Sequence, residues 1–188
     1  MTRLPFRKLF LAATTVVALA IPLIAHAALK VDGKPKISFF AVGNPGFLDI
    51  EGVSSTMTVV DDGTKLVFTV PMASVKTGID LRDEHMNDKY VVQGKYPDAI
   101  LTLAKADVQW PTEVGVAASG KVKATFNIHG QDQAVEVEYT NRKSKTGWRV
   151  SAKFNYDTSA SGIEIPSYLG VSVEAKQRAE VTIDLIDG

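Results

Sequence analysis

Apolar and polar residues alternate with a period of two along most of the chain. Over 121–128, Val122, Ala124, Phe126 and Ile128 share one face, and Lys121, Lys123, Thr125 and Asn127 the other. Val135, Val137 and Tyr139 alternate with Glu136, Glu138 and Thr140, and Trp148, Val150, Ala152, Phe154 and Tyr156 with Arg149, Ser151, Lys153 and Asn155. Ala179, Val181, Ile183 and Leu185 repeat the pattern near the end, and Leu66, Phe68 and Val70 show it earlier. Successive side chains of a strand point to opposite faces, so each stretch predicts a strand with one buried side. Weaker strands are expected at 37–42, 47–52, 55–60 and 99–105, giving about eight or nine in all. Turn residues fall between them: Gly43-Asn44-Pro45-Gly46, Asp61-Asp62-Gly63, His129-Gly130-Gln131-Asp132 and Lys145-Thr146-Gly147. The stretch 80–87 lacks alternation. Asp80 as a cap and Asp83 in the first turn suit the positive end of a helix, so a short helix is expected there between two strands.

Strands with one apolar and one charged face must bury the apolar faces against each other. A two-sheet sandwich and a closed barrel both achieve this, and alternation alone does not choose between them. The 188 residues make one ordinary domain. Residues 1–27 read as a secretory signal: Arg3, Arg7 and Lys8 precede an apolar run over 9–25, and Ala25-His26-Ala27 offers small residues two apart. Cleavage is expected after Ala27, leaving a mature domain of 28–188 in the periplasm or outside the cell. The chain carries 21 basic and 21 acidic side chains, and losing the three basic ones of the signal leaves a small acidic excess. Nucleic acid is therefore not an expected partner. With no cysteine, disulfides, thiolate metal sites and an acylated N-terminal cysteine are excluded, and stability must come from the core.

Four ordered stretches carry a resemblance. Thr77-Gly78-Ile79-Asp80-Leu81-Arg82-Asp83-Glu84-His85-Met86 resembles the most recognisable motif of the YceI family. Lys95-Tyr96-Pro97 before an apolar strand, Phe126-Asn127-Ile128-His129-Gly130, and Gly162-Ile163-Glu164-Ile165-Pro166-Ser167-Tyr168-Leu169-Gly170-Val171 are similar to further elements of that family. The order holds from about Lys30 to the end. The resemblance implies an all-β fold: a single antiparallel, roughly eight-stranded, lipocalin-like barrel with a short helical insertion. It also implies an exported protein whose relatives bind isoprenoid quinones, polyisoprenoids or other long apolar chains, with no established catalytic activity. The chain departs from the family at Tyr90-Val91-Val92-Gln93-Gly94, where an aromatic pair and an acid are frequent, and at Ser159-Ala160-Ser161, where Asp-Phe is common. The polar run over 172–178 reads as an exposed loop.

Within such a barrel the inward set supplies Phe68, Leu101, Leu103, Phe126, Tyr139, Trp148, Phe154 and Tyr156 as expected ligand-binding residues. Burial alone explains any one of them, and the cavity is implied mainly by the resemblance. Arg82 and His85, within the polar cluster 82–85, are the candidates to meet a quinone ring or phosphate near the mouth. Helix-dipole complementarity and ion pairing offer a structural explanation of the same cluster. His85 and His129 are the only histidines beyond the signal and lack metal-binding spacing, so no metal or cofactor is expected. Lys76-Thr77-Gly78 and Lys145-Thr146-Gly147 match a triplet of penicillin-recognising enzymes, but no Ser-x-x-Lys accompanies them. No nucleophile-base pair can be named, so an enzyme is not expected. The expected function is an exported protein that holds an apolar lipid inside a barrel for storage or transport, with transient membrane contact. Two alternatives stand beside it: an envelope interaction or stress protein with a filled core, and an enzyme or metal protein using His85 and its acidic neighbours.

Overall fold

The computed structural model describes residues 28–44, 49–91, 94–164, 167–168 and 171–188. The expected signal at 1–27 lies outside the described residues, as do the turn positions Pro45 and Gly46 and the motif positions Ile165, Pro166, Leu169 and Gly170.

Among the described residues, eleven strands run in chain order: β1 (Leu29–Asn44), β2 (Asp49–Ser54), β3 (Thr58–Asp61), β4 (Lys65–Pro71), β5 (Asp98–Ala104), β6 (Ala117–Ile128), β7 (Gln131–Lys143), β8 (Gly147–Asp157), β9 (Ser167–Tyr168), β10 (Val171–Val173) and β11 (Lys176–Asp187). An α-helix, α1 (Asp80–His85), lies between β4 and β5 and continues as a wider π-type turn over Met86–Tyr90. All neighbours pair antiparallel, in the order β3-β4-β5-β6-β7-β8-β11-β1-β10-β9, with β2 also on β1. The sheet curls into a half-barrel around one apolar core.

Alternation explains the core directly. Val122, Ala124, Phe126 and Ile128 on β6, Val137 and Tyr139 on β7, Phe154 and Tyr156 on β8, and Ala179, Ile183 and Leu185 on β11 are all buried. Their charged partners pair across the outer face, as in the Lys121–Glu136, Lys121–Glu138 and Lys153–Glu138 contacts.

The seam lies where β2 and β3 follow one another. β2 ladders with β1, whereas β3 ladders with β4. Val53 and Lys76 exchange both backbone hydrogen bonds, at 2.8 and 2.9 Å. The Asp61 carboxylate accepts from the Leu29 amide at 3.0 Å, the Gly63 amide at 2.9 Å and Lys105 Nζ at 2.6 Å. Its side chain is wholly buried. Burial alone would raise the Asp61 pKa, but the Lys105 ammonium and the two amides outweigh it and hold the carboxyl below its ordinary value.

β1 extends eight residues before the alternating stretch at 37–42 that the sequence marks. Gly33, at φ 69°, sits where the β1–β11 register shifts between Asp32 and Lys36. A bulge here accommodates Gly33 and Pro35 within the strand. The run 172–178 is not an exposed loop: it contains most of β10 and the start of β11, and Gln177 accepts a hydrogen bond from the Tyr156 hydroxyl at 2.8 Å.

The two ends of the barrel differ. At one end the segment after β5 crosses the opening. Gln109 donates its backbone N–H to the Tyr139 hydroxyl (2.9 Å) and accepts at its backbone carbonyl from Asn141 Nδ2 (3.0 Å), while Trp148 Nε1 donates to the Pro111 carbonyl (2.9 Å). Trp110 stands edge-on to Trp148 with centroids 5.4 Å apart. The other end carries α1.

Candidate functional site: a chamber at the barrel mouth

α1 is held by its own motif, though not by the cap the sequence suggests. Asp80 is the first helical residue; Ile79 occupies the cap position and makes no side-chain cap bond. Instead Asp83 reaches back to Thr77, accepting from its amide at 2.8 Å and its hydroxyl at 2.5 Å. Burial would raise the Asp83 pKa, but these two bonds outweigh it and hold the carboxyl below its usual range. Arg82 Nη2 donates to the Thr77 carbonyl at 2.7 Å. Arg82 Nε is buried and has no partner among the described residues.

The other recognisable motifs also brace one another. His129 and Gly130, at φ 55° and 72°, form a two-residue loop between β6 and β7 whose left-handed pair matches the hairpin twist. Tyr96 packs on the His129 ring with centroids 4.3 Å apart. A Cβ on Gly130 would lie 2.6 Å from Tyr96 Cε1. His129 Nδ1 is 2.9 Å from the Ser161 carbonyl oxygen, and the Gln133 amide donates to the Asp157 carbonyl and to Ser161 Oγ. These motifs position the mouth of the barrel, and Ile128 and Ile163 among them also line it.

Between α1 and the barrel lies a largely apolar chamber of about 730 Å³. Its walls include Met72 and Val75 after β4, Ile50 on β2, Met86 beyond α1, and Ile128 and Ile163 at the rim. Ile79 and Leu81 also line it, yet are 54 and 61 % exposed, so they form its outer lip. Arg82, His85 and Lys89 line the helix side, and Glu174 is the one acid among the lining residues. Cationic donors beside an apolar wall suit an amphiphile with an anionic or carbonyl-bearing head.

Deeper in the barrel a second cavity is entirely apolar but holds only about 80 Å³. Phe68, Leu101, Leu103, Phe126, Tyr139 and Phe154 line it. Tyr156, Arg82 and His85 line the mouth chamber instead. Trp148 is not among the residues lining either; it packs behind Trp110, which does line the inner cavity. The expected inward set is thus divided between two spaces. Phe39, Met57, Trp110, Met86 and Ile163 were missed. Phe39 sits at the start of the apolar run Phe39-Phe40-Ala41-Val42, with only Ser38 before it to mark its face. In the structure Phe40 carries the Arg178 guanidinium over its ring at 4.7 Å. The alternation of Ile37, Phe39 and Ala41 was the available signal.

Comparison with known proteins agrees with this architecture. A family model described as a YceI-like domain matches residues 25–186. The chain belongs to the YceI family. Among solved structures, the fold is similar to that of a polyisoprenoid binding domain from Saccharophagus degradans implicated in plant cell wall breakdown. It has a TM-score of 0.71 at 13 % identity, covering 87 % of this chain and 100 % of that one. Burkholderia cenocepacia BcnA gives a TM-score of 0.60 at 15 % identity, covering 80 % of this chain and 95 % of that one. These likenesses carry the fold. No curated protein matches significantly. Among the described residues, no group of three or more His, Asp or Glu is placed to hold a metal ion, and no helix is long and apolar enough to cross a membrane.

Proposed function

We propose that this YceI-family protein is an exported lipid-binding protein, acting by partition and not by catalysis. Its ligand is an amphiphile with one long apolar chain, of the isoprenoid quinone or polyisoprenoid class. The observation that carries this reading is the 730 Å³ apolar chamber between α1 and the barrel mouth, with Arg82, His85 and Lys89 on one wall. Chambers of this size enclose most of a drug-sized molecule. Burying an apolar tail is worth about 25 cal/mol per Å² removed from water, enough to carry affinity with few polar contacts. The head is met at Arg82, whose buried Nε has a donor to spare. Ile79 and Leu81 at the lip allow brief contact with a membrane during loading. The polyisoprenoid-binding description of the Saccharophagus domain supports the ligand class. The apolar N-terminal run with its Ala25-His26-Ala27 ending supports carriage in the periplasm or beyond it.

A second reading has one observation in its favour. The inner cavity holds only about 80 Å³, as a filled core would, so the barrel interior by itself suits an interaction protein.

The test is Met86→Arg, which places a cation on the chamber's apolar wall at a half-buried position. Binding of geranylgeraniol and of a short-chain ubiquinone is measured by isothermal titration. Binding by the native protein and its loss in a folded variant supports the chamber as the site. Equal binding by both sets the chamber aside.

A further inference from the structure

Among the described residues, the wall between the start of β1 and β3 carries no ladder. The β1–β2 ladder runs from Val42 and Asp49 to Ile37 and Ser54 and stops there. From Leu29 to Lys36, β1 is laddered on its β11 side alone, and β3 is laddered on β4 alone. The sequence of β1 accounts for the gap. Gly33 stands at φ 69°, the register on β11 shifts between Asp32 and Lys36, and Pro35 has no amide hydrogen to offer. Lys34 and Lys36 are exposed on either side of that proline. A bulge, a proline and lysines are the devices that keep a strand edge from taking a partner.

The facing segment is anchored away from β1. Ser54 Oγ accepts from the Thr56 amide at 3.0 Å and lies 2.7 Å from Ser74 Oγ, beyond β4. Below Ile37 a side chain joins the two sides: the Asp61 carboxylate, 2.6 Å from Lys105 Nζ, accepts from the Leu29 amide at 3.0 Å. Behind this stretch the interior is apolar. Ile37 and Met57 line the inner cavity, and Val31 and Val59 pack against the same core. At Ile37 the stretch meets the part of the β1–β2 ladder whose Phe39, Ala41, Ile50 and Gly52 line the mouth chamber.

A tail has two ways into the interior, end-on or through the wall. End-on, α1 roofs one opening and the Gln109–Trp110 segment crosses the other. Parting two laddered strands breaks a run of backbone hydrogen bonds at once, whereas parting β1 from β3 breaks the Asp61 link and apolar contacts. We propose that the unladdered stretch between the first half of β1 and β3 is a lateral portal for the apolar tail of the ligand, with the Asp61 carboxylate as its latch. This rests on the lipid-binding reading above. The head is held at the mouth chamber while the tail passes sideways between Val31 of β1 and the Met57–Val59 segment.

Trp110 lines the inner cavity, so tryptophan emission reports the arrival of a tail there. Stopped-flow mixing with geranylgeraniol is followed by that emission in the native protein, Asp61→Asn and Lys105→Gln, with calorimetry in parallel. Lys105→Gln removes the same ion pair from its other side should Asp61→Asn fail to fold. The closed state alone loses a charge-assisted bond, so entry and release should both speed up by about tenfold. Gly130→Ala loosens the mouth hairpin and leaves the β1–β3 stretch intact; it controls for a general loss of stability and should fall well short of that gain. Unaltered rates in the latch variants, an equal gain in Gly130→Ala, or calorimetric binding with no change in emission overturns the portal while leaving lipid binding in place. Absence of calorimetric binding by the native protein overturns the lipid-binding reading and this inference with it.

Discussion

Asp61 ties the end of β3 to the start of β1 across the half-barrel, and its removal gives a sharp test of how the fold is held. The carboxylate is wholly buried and accepts from the Leu29 amide, the Gly63 amide and Lys105 Nζ. Asp61→Ala leaves the Leu29 amide at the start of β1 and the Lys105 ammonium without this acceptor. Breaking a buried ion pair costs about 3–5 kcal/mol, because the surviving charge stays desolvated. Lys105 is 16 % exposed and keeps a route to water, which places the cost at the lower end, about 3 kcal/mol. For a domain of this size that corresponds to a fall in Tm of about 6–12 °C. Asp61→Asn keeps an acceptor oxygen and should lose about half as much. Urea unfolding followed by tryptophan emission reads both variants. The pH dependence supplies the sign. The Asp61 pKa in the folded chain is depressed, so its contribution is present above the unfolded value and disappears as the pH falls through the folded one. The gap between native protein and variant should therefore be full at neutral pH and narrow in acid. A loss under about 1 kcal/mol at neutral pH, the scale of an exposed pair, would refute the seam role.

Three further expectations follow from the packing. Phe126→Ala, at a site 2 % exposed between the Phe154 and Tyr156 rings, should cost about 3–5 kcal/mol in urea unfolding. Asp83→Asn removes a carboxylate whose folded pKa is depressed by its Thr77 bonds; the variant should be less stable at neutral pH and should lose less stability than the native protein on acidification, as read by thermal melts across the acid range. Gly130→Ala puts a Cβ at φ 72° and against Tyr96, and should lower stability by about 1–3 kcal/mol, with hydrogen exchange rising first in the β6–β7 hairpin.

The strands of the barrel wall were legible because each presents one face to the core and one to water. Lys121 beside Val122 and Glu136 beside Val137 leave no doubt about direction. Legibility failed where that contrast is absent. Lys34-Pro35-Lys36 carries no alternation, yet it is strand, because a bulge at Gly33 lets β1 continue along β11. The run over 172–178 is polar yet mostly strand, and within it Gln177 serves the Tyr156 hydroxyl, so polarity there does not mark a loop. For the helix motif, sequence placed Asp83 near the helix start but assigned capping to Asp80; the bond back to Thr77 crosses a turn that no helical template contains. For the site, alternation finds which residues face inward but carries no information on how the interior is divided. Phe126 and Tyr156 share a face in sequence terms and line different cavities, because α1 roofs one end of the barrel and the Gln109–Trp110 segment closes the other.

The most direct measurement is native mass spectrometry of the protein purified from its own cells without detergent, followed by organic extraction. One stoichiometric apolar amphiphile, lost on extraction and regained on adding geranylgeraniol or a short-chain quinone, is the expected result. A clean unliganded mass that stays unchanged when those lipids are added would contradict lipid binding at the chamber.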